Sequence, residues 1–392
     1  MCIKPITITN PSYKTTWKTS KKTNITDKYI QVPCGNCSQC IAIKQMEYTQ
    51  RILMESINSN IFMLTLTYND EMIPRHATST GYNLKYADKQ DVVNMFKRID
   101  TWRDRHIKYE DIPKIRYFGV TELGSEKGRP HIHVLILVKK WKGQTHEQLL
   151  DLENKLYWLY RKNWKRNIAP STKKPVYKEL FTYNESWRNR ILYRNYDLHY
   201  VNPSTTNNGV ADAAWYVLKY LLKNTDNYES TKEVQRQRAL KMNLSTVIED
   251  VDENGEIKSK FQPDTEYYEI WNKIKSKAFY SKYFGLGMKP TPFGDIDEDI
   301  YYWIRKGIEY GKGKFDYPIF VHPITGETFP LAKYYHKYLL EDKDIDVMYN
   351  NKERELKTLT EIQNVVDKWK RIQKTQIETE FETNLKITQN DY

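Results

Sequence analysis

Two histidines one residue apart, His131 and His133, open the apolar run GRPHIHVLIL. On a strand their side chains share one face, with Cα atoms about 6.5–7 Å apart, two steps of about 3.3 Å. Two imidazoles so placed can converge on one metal ion. They can equally be half-buried strand residues held by hydrogen bonds. Glu122 ends the preceding apolar run, KIRYFGVTEL, and the turn residues GSEKGRP between the two runs predict a hairpin. Directly paired residues across such a hairpin lie about 5 Å apart at Cβ, so Glu122 can join both histidines around a cation. Two histidines and a carboxylate leave positions open for substrate oxygens. Glu122 also reads as a hairpin-edge acid paired with Lys127 or Arg129.

A second group of reactive side chains lies in WYVLKYLLK. Tyr216 and Tyr220 stand at i and i+4 and share a helix face, with Lys219 and Lys223 three residues after each. Val217, Leu218, Leu221 and Leu222 can anchor that helix in a core. A phenol has a pKa near 10 and is a poor nucleophile while neutral. A cation and a lysine nearby would favour the phenolate. The other reading is two amphipathic tyrosines packed on a sheet, with solvated lysines.

Three of the four cysteines, Cys34, Cys37 and Cys40, form CxxCxxC, and Cys2 is the remaining one. Tetrahedral zinc takes four such ligands, so the set predicts a structural Zn²⁺ site clamping the N-terminus. An iron–sulfur cluster or simply reduced thiols are the alternatives. The pattern suits a reducing cytosol better than a disulfide framework. RKGIEYGKGKFD lacks the spacing of a phosphate loop, so no helicase motif is present and strand unwinding would need a host helicase. His76 and His106 have no partners at ligand spacing and read as surface residues.

Periodicity supplies the elements that must position these groups. It predicts helices over 41–57, 88–104, 146–164 and 211–223, and strands over 61–68, up to Leu123, and from His131 to Val138. Residues 185–208 read as extended with a loop, 225–265 as polar and loop-rich, and 278–294 as a Gly/Pro-broken segment with basic and aromatic side chains. The last 45 or so residues predict a charged amphipathic helix carrying Leu356, Leu359, Ile362, Val366 and Trp369. The 392-residue chain has a formal charge of +12 and 31 tyrosines, which points to a polyanion, most simply nucleic acid. No stretch reaches the roughly 20 apolar residues of a membrane span, and the N-terminus has no signal-peptide core.

The order FMLTLTY, TELGSEKGRPHIHVLIL and YVLKYLLK, together with MCIKP, VPCGNCSQC and LTLTYND…KQDVVNMFKRI, resembles the HUH endonucleases. It is most similar to the replication initiation proteins of microviruses, especially gokushovirus-like single-stranded DNA phages. The resemblance covers roughly residues 1–225, and SKYFGLG (281–287) departs from the Arg-Pro-Gly-rich form expected there. It implies an α+β fold: an antiparallel sheet flanked by helices, like an RNA-recognition domain, with the His-bearing strand central and the tyrosine helix over the metal face. An N-terminal Cys-rich zinc segment (1–45), the endonuclease core (46–225) and a partly helical accessory region (226–392) follow.

It further implies Mg²⁺ or Mn²⁺ held by His131, His133 and Glu122. Tyr216 and Tyr220 would be the nucleophiles, and Lys219 and Lys223 would stabilise phosphate or phenolate. The activity implied is nicking and joining of a single-stranded DNA origin through a 5′-phosphotyrosine. The freed 3′-hydroxyl would prime a host polymerase in the cytoplasm of an infected bacterium. Arg116 and Arg129 are expected to contact DNA near the site. An HUH transposase or relaxase, or a non-catalytic zinc-bearing nucleic-acid binder, are the competing readings.

Overall fold

The computed structural model describes residues 6–9, 29–35, 38–105, 115–123, 129–141, 143–172, 174–180, 198–201, 209–222, 239–251, 257–287, 296–311, 314, 318–321, 326 and 328–339. The chain divides into two compact units. One is Tyr48–Tyr302; the other takes its residues from the segments on either side.

The larger unit is built on five antiparallel strands: β1 (Ser59–Thr67), β2 (Ile115–Leu123), β3 (Pro130–Lys139), β4 (Leu198–Tyr200) and β5 (Ala278–Tyr280), in the order β4-β1-β3-β2-β5. Helix α1 (Ser38–Asn58) precedes β1, α2 (Lys89–Arg105) links β1 to β2, α3 (His146–Asn163) links β3 to β4, and α4 (Gly209–Leu222) follows β4. The β1-α2-β2-β3-α3-β4 succession with β3 inserted between β1 and β2 is the split βαβ arrangement. The fold is therefore α+β, with the His-bearing strand in the middle of the sheet.

The sequence accounts for that centrality. VLILV in β3 is continuously apolar because both of its faces are covered, as expected of a strand deep in a sheet. Ile132, Val134, Ile136 and Val138 face one way, into a core with Val92, Met95 and Phe96 of α2 and Leu149, Leu152 and Leu156 of α3. Each such fully buried side chain contributes about 1.5–3 kcal/mol by leaving water. Helix α3 starts at a capping box: Gln148 N–H donates to Thr145 Oγ1 while Thr145 N–H donates to the Gln148 side chain. At the other edge, Gly119 of β2 lies opposite Phe279 of β5, and a Cβ there would stand 2.4 Å from the phenyl ring. Glycine is what lets the aromatic of β5 close over the sheet.

Two sequence expectations need amending in the region after residue 225. Ser245–Val251 and Ile257–Pro263 pair as a long antiparallel hairpin where a polar loop is expected. The signal is Asn254-Gly255, a dipeptide favoured in hairpin turns, after Thr246, Val247 and Ile248; the high charge of the flanks hides it. The segment from Ala278 also contributes a strand to the main sheet instead of standing apart from it. The smaller unit contains the hairpins Ile6–Thr9 with Tyr29–Val32 and Ile319–Val321 with Thr328–Pro330, and the short helix Lys333–Leu339. The amphipathic C-terminal helix expected around Leu356 to Trp369 lies outside the described residues.

Candidate functional site

Register fixes the site. In β2 and β3, Glu122 is directly opposite His131, and Val120 is opposite His133; on the other side of β3, Thr67 and Thr65 of β1 stand opposite the same two histidines. Paired residues of an antiparallel sheet project to one face, so Glu122, His131, His133, Thr65 and Thr67 share a face. It is the face turned away from α2 and α3.

His133 is buried, and both its ring nitrogens have partners. Nε2 lies 3.1 Å from Glu122 Oε2 and Nδ1 lies 3.3 Å from Thr65 Oγ1. The Glu122 and His133 side chains are each only 7% exposed, so each answers the polarity of the other in a poorly hydrated place. Two ligand atoms in adjacent corners of an octahedral ion stand about 3.0 Å apart when each bond is about 2.1 Å. The Nε2–Oε2 spacing fits that corner, with Thr65 fixing the ring from behind. His131 is half-buried at the strand's entrance, on the same face and across from Glu122. Among the described residues, no three His, Cys, Asp or Glu side chains gather as a ready-made metal cluster.

Helix α4 lies against this face. The Tyr216 ring meets the His133 ring edge-on, with centroids 5.5 Å apart, and Tyr216 is 38% exposed. The helix reaches there because Val210, Ala214, Val217 and Leu218 are buried on its sheet-facing side, which leaves Tyr216 at the margin of the contact. The ammonium of Lys219, one turn on, stands 3.9 Å from the centre of the Tyr216 ring. Burial pushes the carboxyl of Asp212, one turn before Tyr216, upward. Tyr220 follows by four residues on the same helix; its side chain and Lys223 lie outside the described residues.

The two arginines expected to meet DNA fare differently. Arg116 sits six residues from Glu122 along β2 and is 7% exposed. Its Nη1 donates to Glu55 Oε1 at 2.7 Å and to the Tyr283 carbonyl at 2.6 Å. Its charge is neutralised inside the protein, which removes it from the DNA contacts expected of it. Arg129 is partly exposed at the site end of the sheet, where it donates to Asp70 Oδ1 and the Tyr68 carbonyl. It does not pair with Glu122, whose carboxylate turns to His133 instead. In the smaller unit, Cys34 Sγ and Cys40 Sγ are 4.0 Å apart, near the roughly 3.8 Å between two sulfurs on one tetrahedral zinc with bonds of about 2.3 Å. Cys2 and Cys37 lie outside the described residues.

Sequence reasoning missed what SKYFGLG does. Glu55 of α1 is fully buried, and its Oε1 accepts from Arg116, from Gly285 N–H at 2.8 Å and from Gly287 N–H at 3.2 Å. Arg51 donates from Nε and Nη2 to the Phe284 carbonyl, and its guanidinium lies 4.5 Å from the Tyr280 ring centre. Gly285 has φ +91°, and a Cβ there would meet Arg51 side-chain atoms at 2.8–2.9 Å. The segment is thus a strap clamped by buried charges onto α1 and β2, at the opposite end of β2 from Glu122. Charged residues inside an amphipathic helix pattern, Arg51 and Glu55, were the only available signal.

Residues 61–225 match the family model for the replication-associated protein ORF2 family, and that stretch contains all of β1 to α4 except the first two residues of β1. Over 119 residues the chain is 29% identical to "Replication-associated protein ORF4" of Chlamydia phage 1, covering 30% of this chain and 26% of that relative. The chain thus spans about a quarter of the length of the curated relative it matches. Together these findings support a microvirus-type replication initiator. No solved structure matches the chain.

Proposed function

We propose that this protein starts phage rolling-circle replication by nicking, and later rejoining, single-stranded origin DNA through a tyrosine ester. The observation that carries this is the Tyr216 ring 5.5 Å from that of His133, which itself pairs with Glu122. A phenol, an imidazole and a carboxylate converge at the rim of a sheet, partly open to solvent.

In the reaction, Tyr216 Oη attacks the scissile phosphorus and the P–O3′ bond breaks. The phenolic proton leaves to solvent or a neighbouring base, and the departing 3′-oxygen takes up a proton. The products are a 5′-phosphotyrosine and a free 3′-hydroxyl. The ester keeps the energy of the broken diester, so a second 3′-hydroxyl can reverse the step. Lys219 places a positive charge over the phenol ring and favours its ionised form. Glu122, His133 and His131 would hold Mg²⁺ or Mn²⁺, which supplies charge stabilisation for the phosphate oxygens. Thr65 fixes the His133 ring so that Nε2 faces Glu122. Tyr220 would offer a second phenol four residues along the same helix, allowing one end to be held while another is cut.

In the smaller unit, Cys34 and Cys40 with Cys2 and Cys37 would hold a structural Zn²⁺. Unwinding and synthesis fall to a host helicase and polymerase in the infected cell's cytoplasm. The test is covalent capture: the purified protein, a labelled single-stranded origin oligonucleotide and Mn²⁺ should give a denaturation-resistant adduct mapping to Tyr216 or Tyr220. An adduct that persists in the Tyr216→Phe/Tyr220→Phe double variant overturns the assignment. No adduct with the parent protein on any origin fragment overturns the nicking function.

A further inference from the structure

Residues 161–179 carry seven Lys and Arg against a single acid, Glu179. They end α3 and form the two-stranded hairpin Lys165–Asn167 with Tyr177–Glu179. The hairpin gathers cations around one exposed ring. Lys165 Nζ lies 4.8 Å and the Arg98 guanidinium 5.5 Å from the centre of Tyr177. Arg98 is held there by Nη2, which donates to the carbonyls of Asn163 and Lys165. Desolvation, with Arg98 and Lys162 adding like-charge repulsion, pushes the Lys165 ammonium down. The carboxylates nearby do little to offset this: Glu179 is exposed, and Glu71 stands 4.0 Å from Lys178 with both side chains largely in water. Beside the cations, Ile168, Val176 and Tyr177 expose apolar surface.

The hairpin is rigidly attached to the end of the sheet that carries the candidate site. Arg166 makes an ion pair with Asp91, and Leu180 N–H donates to the Trp164 carbonyl. Asn69 binds the hairpin's last residues twice, by its N–H to the Leu180 carbonyl and its Nδ2 to the Glu179 carbonyl. Asn69 is only two residues, about 7 Å of extended chain, beyond Thr67, the residue opposite His131. Clustered cations with exposed flat or apolar side chains between them are the chemistry of single-stranded nucleic-acid tracks: phosphates meet the charges and bases meet the rings.

We propose that this hairpin, with Arg98 and Lys162, is a second contact for single-stranded DNA, taking the strand where it leaves the site over the β1 edge. The choice of DNA as the polyanion rests on the function proposed above. The test uses the full-length protein and a fluorescent oligo-dT of about 16 nucleotides, the upper site size of small single-strand-binding folds. In anisotropy titrations, Lys165→Gln/Lys178→Gln should weaken binding about tenfold and flatten the slope of log K against log salt by about 1.4, two phosphates at about 0.7 each. Tyr177→Ala should weaken binding with little change in slope. Lys241→Gln, on the exposed side of another segment, should bind like the parent.

Unchanged affinity and slope in the lysine double variant, with parent-like melting, overturns the proposal. So does parent protein that binds anionic-lipid vesicles through these lysines but not oligo-dT. If the parent forms no origin adduct yet the double variant loses oligo-dT binding, the nicking function falls and the DNA track stands. If the adduct forms and the double variant binds normally, only the track falls.

Discussion

His133 is the residue on which the proposed chemistry turns. Its two nitrogens are both engaged, to Thr65 and to Glu122, so the ring can neither rotate nor leave without exposing a buried carboxylate. Replacing Glu122 by Ala removes the acceptor of a buried imidazole, and thermal or urea unfolding should show a loss of about 1–3 kcal/mol. Glu122→Gln keeps a hydrogen-bonding group and should largely restore stability while losing the anionic oxygen a cation needs. Adduct yield against Mn²⁺ concentration should therefore shift to higher Mn²⁺ in Glu122→Gln, and a chelator should abolish adduct formation in the parent. Tyr216→Phe removes only a partly exposed hydroxyl; its melting temperature should stay within a few degrees of the parent's while its own adduct disappears.

At the scale of elements, the clamp between α1, β2 and the 281–287 strap concentrates buried polar groups. Burial pushes the Glu55 carboxyl up, against the opposing pull of Arg116 and the Gly285 and Gly287 N–H groups. A carboxyl raised in the folded state binds its proton more tightly there than in the unfolded chain. Its contribution is therefore greatest below the ordinary value of about 4.5 and falls as pH rises from there through the folded pKa. Glu55→Gln should flatten that part of the stability-versus-pH curve measured by denaturant unfolding. Glu55→Ala leaves Arg116 buried without its carboxylate and should cost about 3–5 kcal/mol. The adduct yield of folded Glu55→Gln should remain near that of the parent, because the clamp lies at the far end of β2 from Glu122.

For the whole molecule, the net charge of +12 predicts binding to single strands that weakens steeply with salt. Titrations of the parent protein with oligo-dT between low and physiological salt should show a slope set by several phosphates; a flat response would remove DNA as the main polyanion. The basic hairpin and the site end of the sheet share one edge of the larger unit, so the charge is placed where a strand would pass.

Much of this was legible in the residues alone. The alternation of His131 and His133, the hairpin to Glu122 and the i, i+4 tyrosines are set by fixed periods of 2 and 3.6, and so are read directly from spacing. The apolar strands and the capped, amphipathic helices between them follow for the same reason. Nothing local in the chain reveals that Tyr216 rests on His133, 83 positions earlier, or that Arg116 turns its charge to Glu55 rather than to DNA. Those outcomes depend on which helix covers which face, and on the cost of burying a charge without its counter-charge. Contacts between distant segments are decided by packing and desolvation, which only the folded chain brings into play.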